Sequence, residues 1–171
     1  MSVDEARRLV SVITDLGVNA CVGGGWGVDA LLGEQTRTHS DLDFWVPADE
    51  LHALLRGLVD QGIDRVCPWP GDRPWNWVLH DGSNRRVDLH LYEPISDEEW
   101  HYGSAIEGET FPAEALAGTG SIGGLEVRCE SPIWALRFHS GYEPRATDRH
   151  DMRLLCERFG LELPPTLGNG M

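Results

Sequence analysis

Residues 41–46, DLDFWV, alternate an acid or aromatic side chain with an apolar one at every step and stop at Pro47. Strand side chains alternate faces, so Leu42, Phe44 and Val46 share one face while Asp41, Asp43 and Trp45 share the other. A half-buried strand satisfies that pattern: its apolar face meets a core and two carboxylates stand side by side on the other. Adjacent carboxylates repel, and each resists ionising beside the other without a cation between them. A hard divalent ion such as Mg²⁺ takes oxygen ligands and often completes its shell with phosphates, so it relieves that conflict.

The residues just upstream fit the same chemistry. VNACV (18–22) reads as a short strand, GGG (23–25) as a turn, and WGVDALLG (26–33) as a short helix stopped by Gly33. A glycine-rich turn entering a helix N-terminus offers backbone N–H groups and the positive end of the helix dipole. With no Cβ in the way, phosphates can approach closely. A phosphate cradle thus precedes a metal clamp, as a nucleoside triphosphate requires. No G-K-[ST] follows, so this is not a Walker loop. A third acid comes from RRVDLHLYE (85–93), where Val87, Leu89 and Leu91 share one face and Asp88, His90 and Tyr92 the other. If this strand lies beside 41–46, Asp88 completes a carboxylate triad, as a metal ligand or as the base for an attacking hydroxyl.

The rest of the chain predicts a single α/β (α+β) unit with a mixed β-sheet flanked by helices. SVDE (2–5) has capping-box spacing, followed by Leu9, Val12, Ile13 and Leu16 at helical intervals up to Gly17. A second amphipathic helix is expected over 49–62. Hairpins are expected at 75–93, through the turn DGSN, and at 118–130, pivoting on Gly123-Gly124. SPIWALRFHSG (131–141) opens with Ser as N-cap and Pro at N1, and a last helix spans 147–160. The expected division is a core over 1–130 and a small C-terminal helical segment over 131–171 packed on the same domain, with the tail frayed.

Composition narrows the function. A net charge of −14 over 171 residues argues against a nucleic-acid partner and suits a cationic small molecule. No apolar run approaches the ~20 residues of a membrane span, and the polar, acidic start does not read as a signal peptide. Cys21, Cys67, Cys129 and Cys156 have no metal-type spacing and read as small core residues of a reduced, cytoplasmic protein.

GGWGVDALLGEQTRTHSDLDF resembles the antibiotic nucleotidyltransferases of the DNA polymerase β-like superfamily, above all the lincosamide nucleotidyltransferases and the aminoglycoside 2''-adenylyltransferases. The shared pattern is G-G-W, a short helix, L-G-x-x-T-R, then H-x-D-[LI]-D. The similarity runs on through PWNWVLHDGSNRRVDLHLYE and VRCESPIWALRFHSGYEPRATDRHDMRLL, covering roughly residues 20–160. The resemblance implies a nucleotidyltransferase fold and Mg²⁺-dependent transfer of AMP from ATP to a hydroxyl of a small-molecule antibiotic, with release of pyrophosphate. It implies that Gly24, Gly25 and Trp26 hold the triphosphate, that Asp41 and Asp43 hold Mg²⁺, and that Asp88 is the third carboxylate and general base. It further implies that Arg37 contacts phosphate, that Arg145 reaches the phosphates, and that Tyr142 packs on or bonds to the nucleotide. Arg37 has an alternative partner in Glu34, Asp148 and Asp151 read as helix-start residues, and His139 and His150 as structural histidines.

One departure is Gly25, where many superfamily members carry Ser. Another is the aromatic content around Trp45, Trp69, Trp75 and Trp77, which reads as core with some residues walling an acceptor site. Two other readings stand beside the first: transfer to a metabolite or natural-product intermediate, and a non-catalytic nucleotide-binding relative. A homodimer that builds the acceptor pocket also remains open.

Overall fold

The computed structural model of the chain describes residues 1–68, 76–103 and 108–165. Trp69, Trp75 and the tail from 166 onward lie outside the described residues, as does the start of the hairpin expected from 75.

Five α-helices and nine strands follow one another among those residues. Helix α1 (Val3–Asp15) is closed at its start by the Ser2/Glu5 capping box. Strand β1 (Cys21–Gly23) leads directly into α2 (Gly24–Leu32), which Gly33 ends in the left-handed conformation. Strand β2 (Leu42–Pro47) passes through a 3₁₀ turn into α3 (Leu51–Asp60). Next come β3 (Arg65–Pro68), β4 (Asn76–His80), β5 (Arg86–Pro94), β6 (Glu99–Tyr102) and β7 (Glu109–Pro112). The hairpin of β8 (Gly118–Ile122) and β9 (Leu125–Cys129) precedes α4 (Pro132–His139) and α5 (Ala146–Phe159).

The strands form one mixed sheet in the order β3-β4-β5-β2-β1-β9-β8, with β6 and β7 added where β5 runs past β4. β2 and β5 are parallel, β1 and β2 antiparallel. One face carries Leu42, Phe44, Val46, Val87 and Leu89, packed with Leu9 and Ile13 of α1 and Leu54 and Leu58 of α3. The opposite face carries the carboxylates and a second cluster of Trp45, Tyr92, Tyr102 and Phe111, against which Trp134 and Phe138 of α4 pack. Val28, Ala135 and Leu155 join α2 to α4 and α5, so the last two helices buttress the helix that follows the glycine turn.

Local expectations shift in places. α2 begins at Gly24 rather than Trp26, so the second and third glycines of GGG belong to the start of the helix, Gly24 entering it from a left-handed backbone. β3, β6 and β7 carry too short an alternation to be read from the sequence. Cys67 is exposed rather than core, because β3 is the edge strand of the sheet, whereas Cys21, Cys129 and Cys156 are buried.

Candidate active site

The site is built where β2 and β5 run side by side. Their register pairs Asp43 with Asp88 and Trp45 with His90, so the two acids project from neighbouring strands on the same face. Asp41 lies one step before β2 on that face. Their side chains retain 28% (Asp41), 21% (Asp43) and 11% (Asp88) of their exposure, so the cluster is sunk but reachable. Burial first, and then the charges of Asp43 and Asp41, push the Asp88 carboxyl up to about 6, although the hydrogen bonds from Arg86 pull the other way. Asp41 is raised as well, by burial and by Asp43.

The glycine turn abuts the acids. Gly24 has φ +56° and a Cβ there would run into the Asp43 carboxylate. A Cβ at Gly25 would collide with the Arg37 guanidinium and the His39 ring. The turn therefore brings the first N–H groups of α2, which have no partner within the helix, close to the carboxylates. Trp26 is the third helical residue, and its indole is buried against the His39 ring at 4.4 Å between centroids. Any contact of Trp26 with a phosphate therefore falls to its backbone.

Arg37 does not pair with Glu34. Its Nε donates to Asp151 Oδ1 at 2.9 Å and its Nη2 to Asp151 Oδ2 at 2.6 Å, tying the loop before β2 to α5. Asp151 is accordingly fully buried in mid-helix, not a helix-start residue. Asp148 does sit in the first turn of α5, where it accepts from the Arg145 backbone at 2.8 Å and from its guanidinium at 2.9 and 3.0 Å. Arg145 is mostly exposed but near enough to oppose the rise at Asp41. Tyr142 is half-exposed and stands near Asp148 and Arg145. His139 is buried with Nδ1 on the Ala135 carbonyl at 2.9 Å, whereas His150 is exposed. Trp45 lies buried on the site face; Trp77, paired with Leu89, emerges on the other.

Several residues that the sequence reading left without a role belong to this site. Arg86 takes both oxygens of Asp88 at 2.7 Å each. His90 places Nε2 3.3 Å from Asp43 Oδ1, and its Nδ1 lies 3.2 Å from both Asn76 Oδ1 and the Tyr102 hydroxyl. Asp29 and His39 form a buried pair beneath the turn, with Thr36 donating to Asp29. Glu130 is wholly buried beneath the same turn, accepting from Trp45 Nε1 at 2.6 Å, and burial pushes it up to about 8. Two of these carried a signal: His90 by its alternation with Asp88, and Arg86 by the same count backwards. Glu130 stands one residue before the Ser131 cap, at the end of the expected 118–130 hairpin, where no local pattern marks it out.

Among the described residues, no three acidic, His or Cys side chains are gathered into a ready metal cage, and Arg86 occupies both oxygens of Asp88. The donor set still fits Mg²⁺: the three acids offer only oxygen, and their burial and mutual repulsion favour a cation among them. No helix among the described residues is long and apolar enough to cross a membrane.

A family model described as aminoglycoside-2''-adenylyltransferase matches residues 6–155. A 2''-aminoglycoside nucleotidyltransferase of Klebsiella pneumoniae is 30% identical over 156 residues, spanning 82% of this chain and 78% of that one. A lincosamide resistance protein of Staphylococcus haemolyticus is 26% identical over 152 residues, spanning 88% and 92%. The solved structure of the lincosamide antibiotic adenylyltransferase LnuA with lincomycin bound superposes with a TM-score of 0.75 at 24% identity, covering 91% of this chain and 96% of that one.

Proposed function

Because this chain belongs to the aminoglycoside-2''-adenylyltransferase family, we propose that it is a nucleotidyltransferase that moves AMP from ATP onto a hydroxyl of a small antibiotic of lincosamide or aminoglycoside type. The observation that carries the reading is the pairing of Asp43 with Asp88 across β2 and β5, with the Gly24 turn pressed against Asp43.

In this reading, Asp41, Asp43 and Asp88 hold Mg²⁺, which when bound neutralises triphosphate charge and makes the acceptor hydroxyl more acidic. The first N–H groups of α2, at Gly25 and Trp26, bind phosphate oxygens where the dipole favours negative charge. Arg37 and Arg145 add positive charge on the same side, and Tyr142 flanks the nucleotide. Asp88 accepts the proton of the acceptor hydroxyl. That oxygen then bonds to the α-phosphorus as the bond to the bridging oxygen breaks, and pyrophosphate leaves. Most of the acceleration comes from position and charge, which this rigid sheet face supplies. An acidic protein attracts a cationic acceptor over about 8–10 Å at physiological salt. ATP as co-substrate puts the reaction in the cytoplasm.

The test is pyrophosphate release with Mg-ATP against a panel of lincosamides and aminoglycosides, with mass spectrometry of each acceptor. The expected result is a mass gain of one AMP on at least one acceptor, absent with Asp88→Asn. Intact acceptors across the panel, with ATP still bound, refute the antibiotic assignment.

A further inference from the structure

Arg86 opens β5 two residues before Asp88, so both side chains leave the same face of the strand. Its Nε and Nη2 donate one to each oxygen of Asp88, and Nη2 also lies 3.9 Å from Asp41 Oδ2. A guanidinium fork matches a carboxylate in two parallel hydrogen bonds, the strong form of such a pair. The charges of Asp88, Asp41 and Asp43 all favour this cation. One arginine thus counter-charges all three acids that the proposed reaction assigns to the metal, and turns its Nε and Nη2 donors on the third. The Arg86 side chain is one-third exposed, so it has an outlet to water.

We infer that Arg86 is a positioning residue for cation binding: it holds Asp88 in place and competes with the divalent metal for that carboxylate. The inference rests on the reading of Asp41, Asp43 and Asp88 as metal ligands. A guanidinium stays charged throughout the working pH range, so Arg86 cannot leave Asp88 by losing a proton. A competing cation can, and the metal must displace Arg86 to use Asp88 fully. The arginine therefore sets two quantities in opposite directions. It lowers the affinity for the metal, and it stabilises the cation-free fold by offsetting repulsion among the acids. An ion pair with a purely structural role would affect the second quantity and leave the first alone.

The experiment is Mn²⁺ binding to the full chain at about pH 8, above the usual carboxylate range, read from the electron paramagnetic resonance signal of free Mn²⁺. It is run alone and with the non-cleavable analogue α,β-methylene-ATP, on wild type, Arg86→Ala and Arg86→Lys. The expected result for Arg86→Ala is a Kd for Mn²⁺ at least about fivefold lower, a lower bound for removing a unit positive charge beside a divalent cation even at the dielectric of water. Arg86→Lys keeps the charge but loses the fork, and is expected to fall between the two. In EDTA, Arg86→Ala should melt below wild type, and saturating Mn²⁺ should narrow that gap. Unchanged Mn²⁺ affinity in folded Arg86→Ala and Arg86→Lys overturns the competition. A wild type that binds no Mn²⁺, even with the analogue, overturns the metal reading beneath it.

Discussion

Asp43 and Asp88 are direct register partners across the parallel pair of β2 and β5, and both point away from the core that Leu42, Phe44, Val87 and Leu89 fill. Asp88, the more buried of the two, is raised to about 6, by burial first and then by the charges of Asp43 and Asp41. That is the member suited to taking a proton near neutral pH. Asp88→Asn is expected to lower turnover about 10²–10⁴-fold, the range for loss of a general base, with little change in the melting temperature. Steady-state kinetics beside thermal melts check this.

The glycine turn offers a sharper test. Gly24→Ala places a Cβ in a left-handed backbone and against the Asp43 carboxylate. Gly17→Ala serves as the control, with φ +74° and open space around it. The control is expected to lose about 1–2 kcal/mol from strain alone and to keep its turnover. Gly24→Ala should lose more stability and nearly all activity. Denaturant unfolding and pyrophosphate release read the two effects separately.

Glu130 makes the protein sensitive to alkali. Its folded-state pKa is raised from 4.5 to about 8, by burial first and by the charge of Asp43 as well. The folded protein therefore binds more protons than the unfolded chain between those values, and stability falls as pH rises. The contribution is fully present below 4.5 and is lost as pH climbs through about 8. Melting temperature without metal should decline between about pH 5 and about pH 8, and Glu130→Gln should flatten that slope.

Arg37→Ala strands Asp151, fully buried, without its guanidinium. Breaking such a pair from one side costs about 3–5 kcal/mol, toward the lower end here because Arg37 keeps 21% of its exposure. Asp151→Asn, which leaves only the part-exposed Arg37 without its ion partner, should cost less. Urea unfolding of the two single variants and the double variant measures the coupling.

Much of this molecule is legible in its sequence because it is decided within a few residues. The Ser2/Glu5 cap, the stop at Gly33, the Gly123-Gly124 hairpin and the Ser131-Pro132 helix start follow from local backbone geometry and side-chain reach. The face split of DLDFWV and of RRVDLHLYE follows from the two-residue strand period, and with it the side on which Asp41, Asp43 and Asp88 stand. What the tertiary structure alone decided is partnership. Asp43 meets Asp88 only because α3, β3 and β4 carry the chain round to a parallel pairing, and a shift of one residue would have buried Asp88 in the core. Arg37 finding Asp151 on α5, Arg86 choosing Asp88, and Glu130 settling beneath the glycine turn against Trp45 are choices among many charged neighbours. Local periodicity tells a side chain which way to face. Its partner is set by burial and charge, which arise only once distant segments have packed.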